Sequence, residues 1–400
     1  MLVTLNAITT KITKGTTPTS VGCTFENSGV NYIKSESLGS SRNINKSKFA
    51  FISEQTHEKL KRSQIEKNDI LFSMAGMFLG KTGIVTADLV PANTNQAVAI
   101  IRIDNEKANH EYVYYYLNLK SVMQAINASS AQSAQPNINL KQIGQLEIDL
   151  PGRKVQDKIV SILSAIDFKI EKNKQINENL EQQAQVLFKS WFVEYAPFGG
   201  VKPKEWVNTN LDNLTSIISR GIAPKYSDGS DQTVINQKCI RNHMIDLSLA
   251  RAHTPKAINE KWLRFGDLLI NSTGAGTLGR TAQVWFQPQN LTVDSYVTIV
   301  RPIRENLIFY IGLWGILHER EIESLHTGST GQTELPRERV KALELLLPDN
   351  ETLDSFNTLI APIADAIVSN QEESNRLAAL RDVLLPKLMS GELDVSGIDL

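Results

Sequence analysis

The side chains best placed to do chemistry in this chain are not paired acids or a nucleophile with its base. They are cations, amides and hydroxyls gathered in loops. Ser40 to Lys48 reads Ser-Ser-Arg-Asn-Ile-Asn-Lys-Ser-Lys, with Ser41, Arg42, Asn43, Lys46 and Lys48 and no acid. Lys14 and Thr16 flank Gly15, and Lys81-Thr82 follows a glycine turn. Ser129 to Gln135 is an uncharged polar stretch carrying Ser130, Gln132 and Gln135. A second set follows: Arg220, Lys225-Tyr226, Lys238, Arg241-Asn242-His243, Arg280, and Thr327 to Gln332 with Ser329, Thr330 and Gln332. Reading of DNA needs these types: Arg, Lys, Asn and Gln for base edges, and Ser, Thr and Lys for phosphates. Any single member is equally well a solvated loop residue; it is the recurrence of the set that argues for a polyanion.

Other chemistries fare worse. Gly274-Ala-Gly276-Thr-Leu-Gly279 spells a dinucleotide fingerprint, but Thr281 to Phe286 alternates like a strand, so no helix N-terminus would meet a pyrophosphate. Gly76 to Thr82 is one residue short of a phosphate loop. Both read as glycine turns. The six histidines, His57, His110, His243, His253, His318 and His326, show no metal-ligand spacing, and Cys23 and Cys239 form no CxxC. No Asn-Pro-Pro-aromatic tetrapeptide supports base methylation. The expectation is a binding protein, not an enzyme, with no metal or cofactor of its own.

The loops recur because the chain repeats. At a spacing of about 197–206 residues, Lys14-Gly15-Thr16-Thr17-Pro18 matches Arg220-Gly221-Ile222-Ala223-Pro224. Asn68-Asp69-Ile70-Leu71-Phe72 matches Gly266-Asp267-Leu268-Leu269-Ile270, and Gly80-Lys81-Thr82 matches Gly279-Arg280-Thr281. Val98 to Arg102 matches Val297 to Arg301, and Leu146 to Pro151 matches Leu343 to Pro348. The copies diverge most in the loops, as two readers of different sequences on one scaffold would.

Each copy ends in a heptad. Ile159, Leu163, Ile166, Ile170, Asn173, Asn177, Leu180, Ala184, Leu187 and Trp191 step by four and three. A second seam runs Phe356, Ile360, Ile363, Ile367, Asn370, Ser374, Leu377, Arg381, Leu384 and Leu388, with Pro362 and Pro386 marking expected kinks or a shortened helix. The short connection after the first helix favours an antiparallel pair, with Asn173 facing Ser374, Asn177 facing Asn370 and Ile166 facing Arg381. A helix over 156–191 would be a spacer of about 54 Å.

The predicted fold is therefore α+β: two similar β-rich globular domains separated by two long helices that form an intramolecular antiparallel coiled coil, pseudo-twofold. The expected segments are 1–150, the first domain; 151–192, the first helix; 193–347, the second domain; and 348–400, the second helix and tail. The chain of 400 residues is 41% hydrophobic and has net charge −1, ordinary for a globular protein. By region the charge is +3, +1, +2 (over 201–347) and −7, so the acid sits in the tail. No apolar run reaches a membrane span, and no leader pattern opens the chain, so a cytoplasmic protein is expected.

These residues resemble the specificity subunits of type I restriction-modification systems. The resemblance is carried by Asp69-Ile-Leu-Phe, Gly80-Lys-Thr-Gly83, Ile138-Asn-Leu with Leu146 to Pro151, Gln156-Asp-Lys-Ile through Ile170, Leu187-Phe-Lys-Ser-Trp-Phe192, Asp267-Leu-Leu-Ile and Leu384-Leu-Pro-Lys-Leu-Met-Ser-Gly-Glu392-Leu. Asn350 to Asp354 departs from the opening of the first helix, and the N-terminus is short of a lead-in strand seen in many relatives. The resemblance implies two target-recognition domains that read a bipartite, asymmetric double-stranded DNA site. It also implies two methyltransferase subunits docked on the helices or the acidic tail, and restriction/translocase subunits recruited through them. S-adenosylmethionine, ATP and Mg would belong to those partners. A two-domain protein–protein adaptor without DNA contact is the alternative, and a nucleotide-binding enzyme using Gly274–Gly279 a third.

Overall fold

The computed structural model describes residues 1–39, 41–274, 276–328 and 333–397, apart from 131–136 and the side chains of 127–130. It divides into two compact units, Met1–Ile170 with Asn375–Leu400, and Glu171–Ser374. The division differs from the segments expected above. Each unit takes half of both long helices, because each helix half packs on the globular part of its own unit.

In the first unit a four-stranded antiparallel sheet has the order Thr9–Lys14, Val98–Ile103, Ile70–Ser73, Thr82–Ile84. Its central strand is apolar on both faces because both are covered. Ala99, Ile101 and Ile103 join a core with Tyr112, Leu117 and Ile159, whereas Val98 and Ile100 join one with Ile33, Leu71 and Leu89. A second sheet orders Ala50–Ile52, Val30–Ile33, Ala92–Thr94, Gln64–Ile65, with Val30–Ile33 and Ala92–Thr94 parallel. Leu2–Thr4 pairs with Glu147–Asp149.

The second unit repeats this plan. Its sheet order is Thr215–Arg220, Val297–Pro302, Leu268–Asn271, Thr281–Gln283. Even the irregularity recurs, between Thr9 and Lys11 in one and Thr215 and Ile217 in the other. Thr233–Ile235 again lies parallel to a late strand, Leu291–Val293, and antiparallel to Arg251–Ala252. Val207–Asn210 pairs with Glu344–Leu347.

The repeated residues have repeated jobs. Asp69 is wholly buried and takes both Nε and an Nη of Arg102 at 2.8 Å, while accepting from the Glu66 amide at 2.7 Å. Asp267 does the same with Arg301 at 2.7 Å and with the Arg264 amide at 2.8 Å. Gly15 and Gly221 are glycine for want of room: a Cβ would stand 2.0 Å from the Thr94 carbonyl oxygen, or 1.9 Å from that of Val293. A short helix follows the sheet's central strand in each unit, His110–Leu117 and Ile308–Leu317. Each sends a tyrosine hydroxyl to an end-strand carbonyl, Tyr112 to Asp149 and Tyr310 to Leu346.

The long helices are Arg153–Phe192 and Asn350–Met389. The second runs unbroken through Pro362 and Pro386, against the expected interruption. It starts where Asp349 accepts from the Thr352 amide and hydroxyl, both at 2.8 Å. Within the second unit the helices are antiparallel. Asn370 donates to Asn177 at 2.8 Å, Asn177 donates to the Ile367 carbonyl at 3.1 Å, and Asn173 reaches Ser374 at 3.3 Å and Glu373 at 2.8 Å. Within the first unit Ile159 and Leu163 share a core with Leu384 and Leu388, and Arg381 pairs with Asp167 at 2.9 Å. Arg381 thus avoids an apolar layer with Ile166.

The heptad departs at one end. Ile166, Ile170, Leu180, Ile363 and Leu377 are only partly buried, and Leu187 and Trp191 are flanked by the more deeply buried Phe188 and Phe192. There the stripe is Ala184, Phe188, Phe192, the four-residue step of a straight helix covered by a globular core. Phe192 lies 4.7 Å from the Phe356 ring and 4.8 Å from that of Tyr310. Nor is 193–207 a bare linker: Trp206 is buried, 5.7 Å from Phe192, and donates to Asp349 at 3.0 Å.

Candidate nucleic-acid interface

In the first unit the Gly15 turn holds the Thr16 amide on the Thr94 carbonyl at 3.0 Å. That close approach sets Lys14 and Thr16 beside Arg62 and Gln96, around an open groove of about 390 Å³ that Thr17, Thr19 and Ser20 also line. Thr17 donates to the Gln96 amide oxygen. Arg62 and Gln96 were missed from the sequence: Arg62 reads as one of the solvated cations of Lys59-Leu60-Lys61-Arg62 that close a short helix, and Gln96 is a lone amide in the turn 95–97.

Ser41, Asn43, Lys46 and Lys48 are exposed. Asn45 organises them by accepting from the Ser47 amide at 3.0 Å. Arg42 is turned away, half-buried, with its guanidinium on Glu111 at 2.8 Å. Lys46 pairs with Asp88; its hydrogen bond and that of Thr86 hold the Asp88 carboxyl down to about 2. Lys81 is half-buried. Thr82 is buried in its strand and donates to Asn118 at 3.0 Å, so its hydroxyl does not face a ligand. Gln132 and Gln135 lie outside the described residues, as do Ser40 and the Ser130 side chain.

In the second unit Arg220 reaches Glu334 at 2.7 Å and the Leu335 carbonyl at 3.1 Å. Lys238 and Arg241 are exposed; Lys238 sits in the turn Gln237–Cys239 just before the hairpin Ile240–Arg241 with Met244–Ile245, and Arg241 donates to the Lys238 carbonyl at 3.2 Å. Asn242 and His243 form the hairpin's turn, at φ 49° and 60°. Such left-handed pairs match the twist of a two-stranded ribbon. The His243 ring stands 3.6 Å from Glu319. Lys225 and Tyr226 are exposed, and the Arg251 guanidinium lies over the Tyr226 ring, 3.6 Å from its centre. Ser329, Thr330 and Gln332 lie outside the described residues.

The glycine motif is a turn. Gly274, Gly276 and Gly279 all have positive φ, the strand Thr281–Gln283 follows, and Arg280 closes the turn by donating to the Gly276 carbonyl at 2.7 Å. Glu319 occupies the Thr281 amide at 2.8 Å, where an anion would have to sit. Ala275 lies outside the described residues. Among the described residues no three His, Cys, Asp or Glu side chains converge as a metal site, and no helix is long and apolar enough to cross a membrane.

The chain is thus a duplicated α+β unit with polar and cationic loops, each copy carrying part of two long helices. The family model described as type I restriction modification DNA specificity domain matches residues 2–182. The MjaIX specificity subunit of Methanocaldococcus jannaschii is 27% identical over 339 residues, 78% of this chain and 76% of that protein. The HindI specificity subunit of Haemophilus influenzae is 23% identical over 412 residues, covering 83% and 88%. The crystal structure of a type I restriction-modification S subunit from M. genitalium shares the fold, with TM-score 0.55 and 14% identity over 97% of this chain and 95% of that one. The chain is similar to type I specificity subunits along most of its length, and its first 182 residues carry the match to the specificity-domain model.

Proposed function

We propose that the chain is the non-catalytic DNA reader of a type I restriction-modification complex, each unit reading one half of a bipartite, asymmetric site. The observation that carries this is the duplication: one sheet order and one buried Asp–Arg pair occur twice, under loops that differ. A repeated frame with unlike loops is what reading two unlike half-sequences requires. Lys14, Arg62, Lys48, Lys225, Lys238 and Arg241 supply cations in those loops. Two methyltransferase subunits dock on the long helices. Their exposed Ile176, Val186 and Leu359 in the second unit, and Leu380 and Val383 in the first, are apolar side chains suited to a protein partner. Restriction/translocase subunits join through the methyltransferases, and S-adenosylmethionine, ATP and Mg are held by the partners. The paired helices set the gap between half-sites.

A gel-shift of random-sequence duplex, by the chain alone and with its methyltransferase subunits, tests the reading. Retention that weakens steeply with salt is expected, since each phosphate contact releases counterions. No retention in either condition overturns it in favour of the protein–protein adaptor.

A further inference from the structure

Both units place an exposed aromatic ring at one point of the fold. Phe25 immediately precedes Glu26, which bridges to Phe51 of the strand Ala50–Ile52; Tyr226 bridges to His253, just past the matching strand Arg251–Ala252. Each ring is 39% exposed, and each carries a cation on its face. The cations differ. In the first unit it is Lys34, 5.3 Å from the Phe25 centre and 4.0 Å from Glu36. In the second it is Arg251, at 3.6 Å. At that separation the guanidinium lies on the ring face, and stacking holds it in one plane.

Arg251 also differs from the other arginines around it. Arg301 and Arg220 are taken by carboxylates, and Arg241 and Arg280 by backbone carbonyls. Among the described residues, no acceptor holds the N–H donors of exposed Arg251. A point charge would serve to hold a phosphate. A flat, ring-locked fork with free donors serves to place two parallel N–H groups, and on a duplex edge the matching acceptor pair is guanine O6 and N7.

We propose that Arg251, positioned by Tyr226, reads a guanine in the half-site of the second unit. This rests on the DNA-reading assignment above and names one base and one residue within it. Lys34 on Phe25 lacks the fork and gives the first unit no equivalent reader.

The test selects bound sequences from a randomised duplex library, using the full-length chain with its methyltransferase subunits. Wild type, Arg251→Ala, Arg251→Lys, Tyr226→Phe and Tyr226→Ala are compared, with thermal melting to confirm folding. The expected wild-type motif has a guanine in one half that Arg251→Ala and Arg251→Lys each relax, by roughly 10–100-fold in discrimination at that base pair alone. Tyr226→Phe keeps the preference and Tyr226→Ala loosens it. An unchanged motif in folded Arg251→Ala, or uniform weakening at every position, overturns the assignment while leaving DNA reading intact. A wild-type chain that enriches no sequence overturns both.

Discussion

The buried Asp–Arg pairs are the most consequential single contacts in each unit. Asp267 is wholly buried and Arg301 is 7% exposed, and the carboxylate also fixes a backbone amide. Removing one partner leaves a charge stranded in the core, so Arg301→Ala should cost about 3–5 kcal/mol. Arg102, 22% exposed, can recover some solvation, so Arg102→Ala should cost less. Urea denaturation of the two variants side by side checks both the size and the order. Asp294 gives a pH dependence. Burial raises its carboxyl to about 6, against a weaker opposing pull from the Tyr296 amide. A raised acid favours the folded chain only while protonated, so its contribution falls as pH climbs from about 4 to about 6. Asp294→Asn should match wild type near pH 4 and exceed it by roughly 2–3 kcal/mol above pH 7. Melting curves across that range would show a constant difference if the group were inert. The repeat made Asp69 and Asp267 visible in the sequence as matched letters. Their partners were visible too, yet a pairing across 33 or 34 residues leaves no local trace. Arg251 escaped notice for the same reason, since its ring partner is on another segment.

Among elements, the helices were the most legible, because a stripe repeating over 40 residues can hardly be anything else. The polar layers fixed their alignment from the sequence: unlike apolar side chains, amides lose their partners if the register slips. The prediction at this scale follows. Replacing Asn177 and Asn370 together by Leu should raise the melting temperature while loosening alignment. Cysteines placed at Asn173 and Ser374, whose side chains stand 3.3 Å apart in the native register, should crosslink less completely in that variant, and an undiminished crosslink would count against the amides as register keys. What the heptad missed lies where a third surface joins. Phe188 packs within 5.6 Å of Tyr310, a residue of the globular part, and a two-helix template has no place for it. The prolines misled for a related reason: tertiary cover holds a helix together past a residue that would interrupt it alone.

At the scale of the whole chain, the proposed ruler role makes a spacing prediction. Seven residues added to each long helix, after Gln175 and after Gln371, lengthen the pair by about 10 Å. The selected DNA motif should then gain about three base pairs between its halves, each half unchanged. An unaltered gap in a folded, DNA-binding variant would refute the role. Loop identities remain the least legible part, because a base-reading arginine and a solvated one look alike until neighbours such as Glu111, Glu334 or Tyr226 are in place.

The way the units divide has a temporal side. Glu171–Ser374 is one unbroken stretch, whereas the other unit joins Met1–Ile170 to Asn375–Leu400. On the ribosome, the half begun first must wait for the last residues made, since Leu384, Leu388, Met389 and Val395 close its core. The middle of the chain needs nothing beyond Ser374. A chain truncated after Ser374 should therefore present one protease-resistant half and one still open to cleavage.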